Sequence, residues 1–434
     1  MRLTTTTHFR SFQKPALYAA VIVAGLSLAL LSAGSAFAAP IIVTNDSDSG
    51  DGSLRQAVLD AQPGDTIIFS SSAFSNAATI NLTSGQIEIS KSLNIDGAQN
   101  PGVVTPTLSG SSAQRVFLID ANASVVLNRL NIVNGSCYQC DGGGIYVMAQ
   151  GNLAARNTVF SGNSANVSGG AIANAGTAVI ASSTFSGNSA PYGGAIRNWG
   201  LLNLDRAVIN ANTATYGGAI RNEGTNFPVT QTAILALSNS AVYGNSAAQS
   251  GGGLQNSYFA SAALTNTTFY SNSAATYGGA IMSDDSSVAG IVNATLYGNR
   301  AALSGGAIYN GGAITLTNSI VAGSAAGGNC AWQTRPPVDG GGNLDDANTC
   351  AFGSGVLAPS QTMANPLLGP LQVNAPGSIP TLALLPSSPA LNGGSDAACP
   401  ATDARGVMRV QALHCDIGAY EAFGHFVFVP GMRR

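Results

Sequence analysis

The sequence predicts an all-β chain, a single-stranded right-handed parallel β-helix with a short N-terminal capping helix, on three observations. Of its 434 residues, 53 are glycine and only 9% are charged, a composition that favours a repetitive β architecture over an ordinary globular enzyme. A Gly-Gly-Ala-Ile motif or a close variant begins at Gly142, Gly169, Gly193, Gly217, Gly251, Gly278 and Gly305, at intervals of 27, 24, 24, 34, 27 and 27 residues. A second motif, Phe-Ser-Gly-Asn-Ser-Ala and its variants, runs in step with the first and puts Asn163, Asn188, Asn212, Asn245, Asn272 and Asn299 at equivalent places. Self-similarity at such a period is the mark of stacked repeats.

Between the motifs lie short alternating runs, Thr177 to Thr184 and Ala313 to Asn318 among them, which read as strands of about five residues. One repeat is then two or three short strands joined by tight turns. The glycine density and the lack of helix-period stretches exclude a helical solenoid, and a propeller blade needs about 40 residues. Successive turns of such a coil stack at about 4.8 Å, so residues one period apart lie above one another. Phe160, Ile209 and Phe269 then form an internal apolar stack. The six asparagines form an amide ladder across a buried turn, and the glycine pairs serve a turn that needs positive φ or close backbone approach. The 34-residue interval holds an inserted loop over Thr225 to Thr232.

The ends are organised differently. Arg2, Arg10 and Lys14, an apolar run from Ala16 to Leu31 and then Ala36-Phe37-Ala38 predict an export signal over residues 1–38 with cleavage after Ala38. The mature chain then carries 14 basic and 20 acidic side chains, a balance that argues against nucleic acid and anionic membrane surfaces as partners, and it contains no segment apolar enough to span a bilayer. Residues 39–70 read as a cap over the open edge of the coil: Ile41 to Val43 as a strand, then a helix with Ser53 and Gln56 at capping-box spacing and Leu54, Ala57, Val58 and Ala61 on one face. Strands at Thr66 to Phe69, Ile87 to Ile89 and Leu93 to Ile95 start the coil, whose repeats occupy residues 71–325. A proline-rich C-terminal region follows over 326–421, and a short apolar and basic tail over 422–434. All six cysteines lie in the exported part. Fifteen connectivities are open to them, and the sequential one, Cys137 with Cys140, Cys330 with Cys350 and Cys399 with Cys415, is preferred. A single Cys-x-x-Cys and two mature histidines, His414 and His425, give no metal-ligand pattern, and no cofactor is expected.

The glycine-pair and Phe-x-x-Asn repeats resemble those of polymorphic outer-membrane proteins and other pectin-lyase-like β-helices. The stretch from Val43 to Phe69, with Gly52 to Ala57 reading Gly-Ser-Leu-Arg-Gln-Ala, is similar to a CSLREA-type N-terminal region. From Asn329-Cys330 through Gly342 to Leu344, Asn365 to Leu368, Ala383 to Pro386, Ser388 to Ala390 and Cys399 to Gly406 to Cys415 to Glu421, the chain resembles a choice-of-anchor Q domain. The resemblance implies a secreted or surface-displayed protein, outer-membrane associated in some relatives, and it supplies no reaction.

Two functions follow as expectations. The first is a noncatalytic, adhesin-like or structural protein that meets an extracellular polysaccharide or another cell surface. The position after each Gly-Gly-x-Ile/Leu varies while its neighbours repeat, running Tyr146, Ala173, Arg197, Arg221, Gln255, Met282, Tyr309, and Tyr192, Tyr216 and Tyr277 precede glycine pairs. Tyrosines beside arginines suit sugar faces and acidic groups, so Tyr192, Arg197, Tyr216, Arg221 and Tyr277 are the candidate binding residues. The alternative is a polysaccharide hydrolase or lyase working in a groove. Glu223 and Asp284 share an offset from their glycine pairs two turns apart, about 9.6 Å, near the upper limit for an inverting carboxylate pair. Asp285 and Asp205 are further candidates, and no pectate-lyase or polygalacturonase pattern accompanies them.

Overall fold

One repeat, Gly193 to Tyr216, shows why the chain coils. Gly193 adopts φ +67°, and a Cβ on Gly194 would lie 2.2 Å from the carbonyl oxygen of Gly218 in the next turn, so the pair both reverses the chain and admits its neighbour. Strands Ile196–Asn198, Leu201–Asp205, Val208–Asn210 and Thr213–Tyr216 follow, with left-handed corners at Arg206 and Ala211. Along Leu201–Asp205 the alternation buries Leu202 and Leu204. The computed structural model describes residues 39–97, 100–225, 231–353, 355 and 357–423. The export signal expected over 1–38 and the tail from 424 lie outside the described residues.

Each turn pairs in parallel with the next. The strands following the glycine pairs make a ten-stranded sheet 1, the five-residue strands a twelve-stranded sheet 2, and the strands carrying the Phe160 position a twelve-stranded sheet 3. The fold is a right-handed parallel β-helix. A repeat holds four strands and not two or three, because the Ser-Ala pairs after the buried asparagines build a seven-stranded sheet 4. Most of these strands are only two residues long, too short for alternation to reveal them.

Two internal stacks hold the coil. Phe160, Phe185, Ile209, Val242, Phe269, Leu296 and Val321 run in unbroken register and are fully buried, with the Phe160 and Phe185 rings 4.7 Å apart and nearly parallel. Beside them, Asn163, Asn188, Asn212, Asn245, Asn272 and Asn299 are also fully buried. Each of the first five donates Nδ2–H to the next Oδ1 at 2.9–3.0 Å. Those acceptor oxygens also take the backbone N–H of the preceding asparagine. The register crosses the long interval intact, Leu201 pairing with Ile234 and Arg221 with Gln255. The inserted loop expected over 225–232 lies largely outside the described residues; Thr225 and Gln231, between sheets 1 and 2, form an antiparallel bridge.

At the N-terminal end the helix Leu54–Asp60 covers the first turn, with Ser53 Oγ accepting from Gln56 N–H and Leu54, Ala57 and Val58 buried. Asp48 ties this cap to the coil: it accepts from Arg55 Nη2 at 2.6 Å, Ser84 N at 2.7 Å, and both the N–H and the hydroxyl of Thr83 at 3.0 Å. Partial burial pushes the Asp48 carboxyl up, but the Arg55, Ser84 and Thr83 donors together hold it well below its ordinary 3.8. The unfolded chain therefore binds the proton first, so the stability from Asp48 is complete above about pH 4 and is lost as pH falls toward the folded value. Amide exchange in Leu54–Asp60 is expected to quicken in acid in the native chain. An Asp48→Asn chain should show faster exchange already at neutral pH and a flatter acid response; equal protection in both chains at neutral pH would remove this role.

At the other end stacking outlasts the glycine-pair repeat. Cys330–Trp332, Val338–Asp339 and Leu344–Asp345 continue sheets 1, 2 and 3, and Gln361–Thr362 adds a last strand to sheet 3. The disulfide Cys330–Cys350 closes this end, with Cys350 and Phe352 in the main core. An antiparallel hairpin, Leu368–Val373 with Pro380–Leu384, and the segment to Ala422 then lie along the side of the coil. Asn266, Asn293 and Asn318 on the corner between sheets 2 and 3 hold that segment, bonding Thr402 O, Asp416 O and Ser395 O. The remaining disulfides are Cys137–Cys140 and Cys399–Cys415. No helix among the described residues is long and apolar enough to cross a membrane.

Candidate functional site

Sheet 1 turns one column of side chains away from the core, and its register makes the column continuous: Tyr146, Ala173, Arg197, Arg221, Gln255, Met282, Tyr309. Neighbouring side chains cover Ala173 completely and leave Arg221 and Gln255 each 6% exposed. Strand pairing alone fixes their spacing at about 4.8 Å. Tyr192 pairs with Tyr216 on sheet 4, immediately before the glycine turns, so these aromatic rings stand beside the two arginines.

The result is a tight cation and aromatic cluster. The Tyr192 and Tyr216 rings stack at 5.8 Å. Arg197 lies 4.8 Å over Tyr192 and 4.4 Å over Trp199, and Arg221 lies 4.8 Å from Tyr192 and 5.5 Å from Tyr216. Glu223 binds both cations: Arg221 donates Nε–H at 2.9 Å and Nη2–H at 2.7 Å, and Arg197 donates Nη2–H. Arg221 Nη1 also reaches Gln255 Oε1 at 3.0 Å. Burial lowers the Arg197 guanidinium, against the pull of Glu223, yet an arginine remains charged at any ordinary pH. Two guanidinium groups against one carboxylate leave the cluster with one positive charge. It borders a shallow depression of about 400 Å³ lined by Tyr192, Arg197, Arg221, Glu223, Gly224 and Tyr258. A second depression, about 300 Å³ at the corner of sheets 1 and 2, is lined by Gln150, Thr177, Leu201, Gln231, Ile234 and smaller neighbours without a charged group. Tyr277 stands apart from the cluster, its ring tilted against that of Tyr309 with centroids 4.6 Å apart.

The register sets Glu223 and Asp284 two turns apart, as their spacing predicts, and each carboxylate is already engaged. Glu223 and Asp284 are separated by Ser257 in register, and both oxygens of Glu223 are occupied by guanidinium donors. Asp284 accepts from Tyr258 N and from Ser286. Burial pushes its carboxyl up while these bonds oppose the rise. Asp285 is exposed. Asp205 lies at the far end of a sheet 2 strand, bonded to Arg206, Ser238 and Asn239. Among the described residues no group of three or more His, Cys, Asp or Glu side chains is placed to hold a metal.

Sequence reasoning overlooked Trp199 and Tyr258, placed Gln255 in the variable column without giving it a role, and missed a second amide ladder beneath the cluster. Asn174, Asn198, Asn222 and Asn256 are fully buried and linked Nδ2 to Oδ1 at 2.7–2.8 Å. The signal was present as an asparagine two places beyond the Ile or Leu of four consecutive glycine-pair motifs. This ladder fixes the strands whose outward residues are Arg197, Arg221 and Gln255.

Three stretches of the chain, 157–175, 182–198 and 266–284, match the Chlamydia polymorphic membrane protein repeat. Each runs from the corner between sheets 2 and 3 through a buried ladder asparagine and a glycine pair to the strand on sheet 1. Tyr192, Arg197, Tyr277 and Asp284 fall inside matched polymorphic membrane protein repeats, and Tyr216, Arg221 and Glu223 fall on a turn between them. No curated protein matches the chain significantly in sequence. Among solved structures, pectate lyase Pel9A is similar at 13% identity and a TM-score of 0.49, over 88% of this chain and 97% of that one.

Proposed function

We propose that the chain is a surface-displayed, noncatalytic β-helix protein that binds extracellular polysaccharide along sheet 1, with Tyr192, Arg197, Tyr216 and Arg221 as its centre. The observation that carries this reading is the Arg197, Arg221 and Glu223 network held between stacked tyrosines and Trp199. Rigid aromatic faces beside fixed guanidinium donors suit the apolar and hydroxyl faces of sugar rings. The open depression, with the partly exposed Tyr146, Met282 and Tyr309 further along the same column, suits a polymer better than an enclosed small molecule. Surface display is supported by the polymorphic membrane protein repeats.

A glycan array probed with residues 39–434, run beside reducing-sugar and unsaturated-product assays on each bound polymer, tests both halves. Binding without turnover is expected. Tyr192→Ala and Arg197→Ala should each weaken binding about tenfold to a hundredfold, the range for loss of a contact worth about 1–3 kcal/mol. Turnover that disappears in Glu223→Gln or Asp284→Asn would replace this reading with a hydrolase or lyase.

A further inference from the structure

The Cys137–Cys140 disulfide stands at one end of sheet 4, two turns before the strand that ends at Tyr192, and its surroundings differ from those of the other two. Arg115 reaches it from the preceding turn, with Nη2 at 3.2 Å from Cys137 Sγ. The other acceptors of that guanidinium are neutral: Asp141 O, Gly142 O and Gln86 Oε1. The Tyr146 ring lies 5.4 Å from it. No carboxylate among the described residues lies within ion-pair distance of Arg115, and the Asp141 carboxylate is engaged by the Ser168 hydroxyl. Arg115 is therefore a half-buried cation in direct contact with neutral groups and Cys137 Sγ, with the Asp141 carboxylate acting on it only from beyond ion-pair distance. Cys137 is buried, while Cys140 is partly exposed beside the open side chain of Tyr138. At the other disulfides Cys330, Cys350 and Cys415 are buried; Cys399 is partly exposed like Cys140, but Cys415 Sγ meets only the neutral Asn318 amide and Ser395 carbonyl and no cation.

We propose that Cys137–Cys140 is a thiol-exchange site for a small thiol, with Arg115 as the positioning residue that receives the Cys137 thiolate. The incoming thiolate attacks Cys140 Sγ, the bond between Cys140 and Cys137 breaks, and its electron pair leaves on Cys137 as a thiolate facing Arg115. A second small thiol resolves the mixed disulfide at Cys140, so the protein gains two electrons and the thiols become a disulfide. The leaving sulfur is the buried one that Arg115 touches, and the attacked sulfur is the accessible one. A cation on a thiolate favours it strongly, and here the thiolate would be the one charged group in direct contact with the guanidinium. The other charged or titratable groups facing the pair are Asp141 and Tyr146, and neither is bonded to Cys137 through its titratable atoms.

The test is equilibration of the folded chain, all three disulfides intact, in graded glutathione buffers, followed by alkylation and mass spectrometry. Cys137 and Cys140 are expected to open while the other two pairs remain closed. Arg115→Gln should shift the midpoint about tenfold toward the disulfide, equivalent to about one unit of thiol pKa, with Arg115→Lys shifting it less. If Arg115→Gln does not fold, Cys140→Ser leaves Cys137 free in the native setting, and its alkylation rate against pH should give a pKa below the ordinary value of about 8.5. A midpoint unmoved in folded Arg115→Gln, or a Cys137 thiol titrating at or above the ordinary value, overturns the proposal.

Discussion

Arg409→Leu is expected to cost about 3–5 kcal/mol, the range for breaking a buried ion pair by deleting one partner, and to release the C-terminal segment from the side of the coil. Arg409 and Glu421 are 1% exposed and 3.0 Å apart, and Arg409 also donates to Asn266 Oδ1 at 2.9 Å and Gly418 O at 2.8 Å. The arginine thus joins the segment to a corner asparagine of the coil more than a hundred residues earlier. The carboxylate left behind in the variant, Glu421, still accepts from Val410 N, Gln411 N and Asp416 N but has lost its cation in a dry site. A second pair, Arg405 with Asp403, fully buried and with Arg405 stacked 3.6 Å from the Tyr420 ring, keeps the segment folded on itself. Undocking should therefore precede unfolding. Limited proteolysis is expected to cut the Arg409→Leu chain within 362–421 while strands of the coil stay protected. Arg409→Leu with Glu421→Leu should recover part of the loss, since the unpaired charge is gone. Identical protease resistance in native and Arg409→Leu chains would show that the ion pair does not hold the segment.

The fold was legible because its repeat writes the same physical requirement at the same offset many times. Gly193 and its equivalents each need a left-handed turn, and Phe160, Phe185 and Phe269 each fill the same level of the core. Sheet 4 was not legible, because its Ser-Ala strands carry too few residues for a period to show. The stacking beyond Ser324 was hidden for another reason: Asn329 and Asp345 hold that turn through bonds to Val321 O, Thr349 N and Cys350 N, and none of these belongs to the repeat. The outward column from Tyr146 to Tyr309 could be read from register alone. The partners of Glu223 could not, because its pairing with Arg221 depends on side-chain conformations and its contact with Arg197 crosses between turns.

Asn212→Asp is expected to destabilise the coil more than Asn212→Ala, which itself should cost about 3–5 kcal/mol from unsatisfied buried groups and the space left behind. Asn212 Oδ1 accepts from the backbone N–H of Asn188 at 2.9 Å and from its Nδ2 at 2.9 Å, while Asn212 Nδ2 donates to Phe185 O at 3.1 Å and Asn245 Oδ1 at 2.9 Å. Alanine removes all four bonds and strands the Asn188 N–H away from water. Aspartate keeps the two that it accepts, but it turns a second oxygen toward the Phe185 carbonyl and Asn245 Oδ1 and brings a charge into a fully buried site. An isolated buried carboxylate takes up a proton more readily than a free one, and the protonated acid can donate one of the two lost bonds. The Asn212→Asp chain should accordingly regain stability as the pH is lowered from neutral to about 5, whereas Asn212→Ala should show no such gain. Because each turn of a solenoid is stabilised mainly by its neighbours, the loss should appear as a split or broadened unfolding transition and not as a uniform shift. Denaturant unfolding of the three chains at both pH values separates a ladder that works by amide reciprocity from one in which Asn212 only fills space. The second case predicts a loss confined largely to alanine, because aspartate fills the same space.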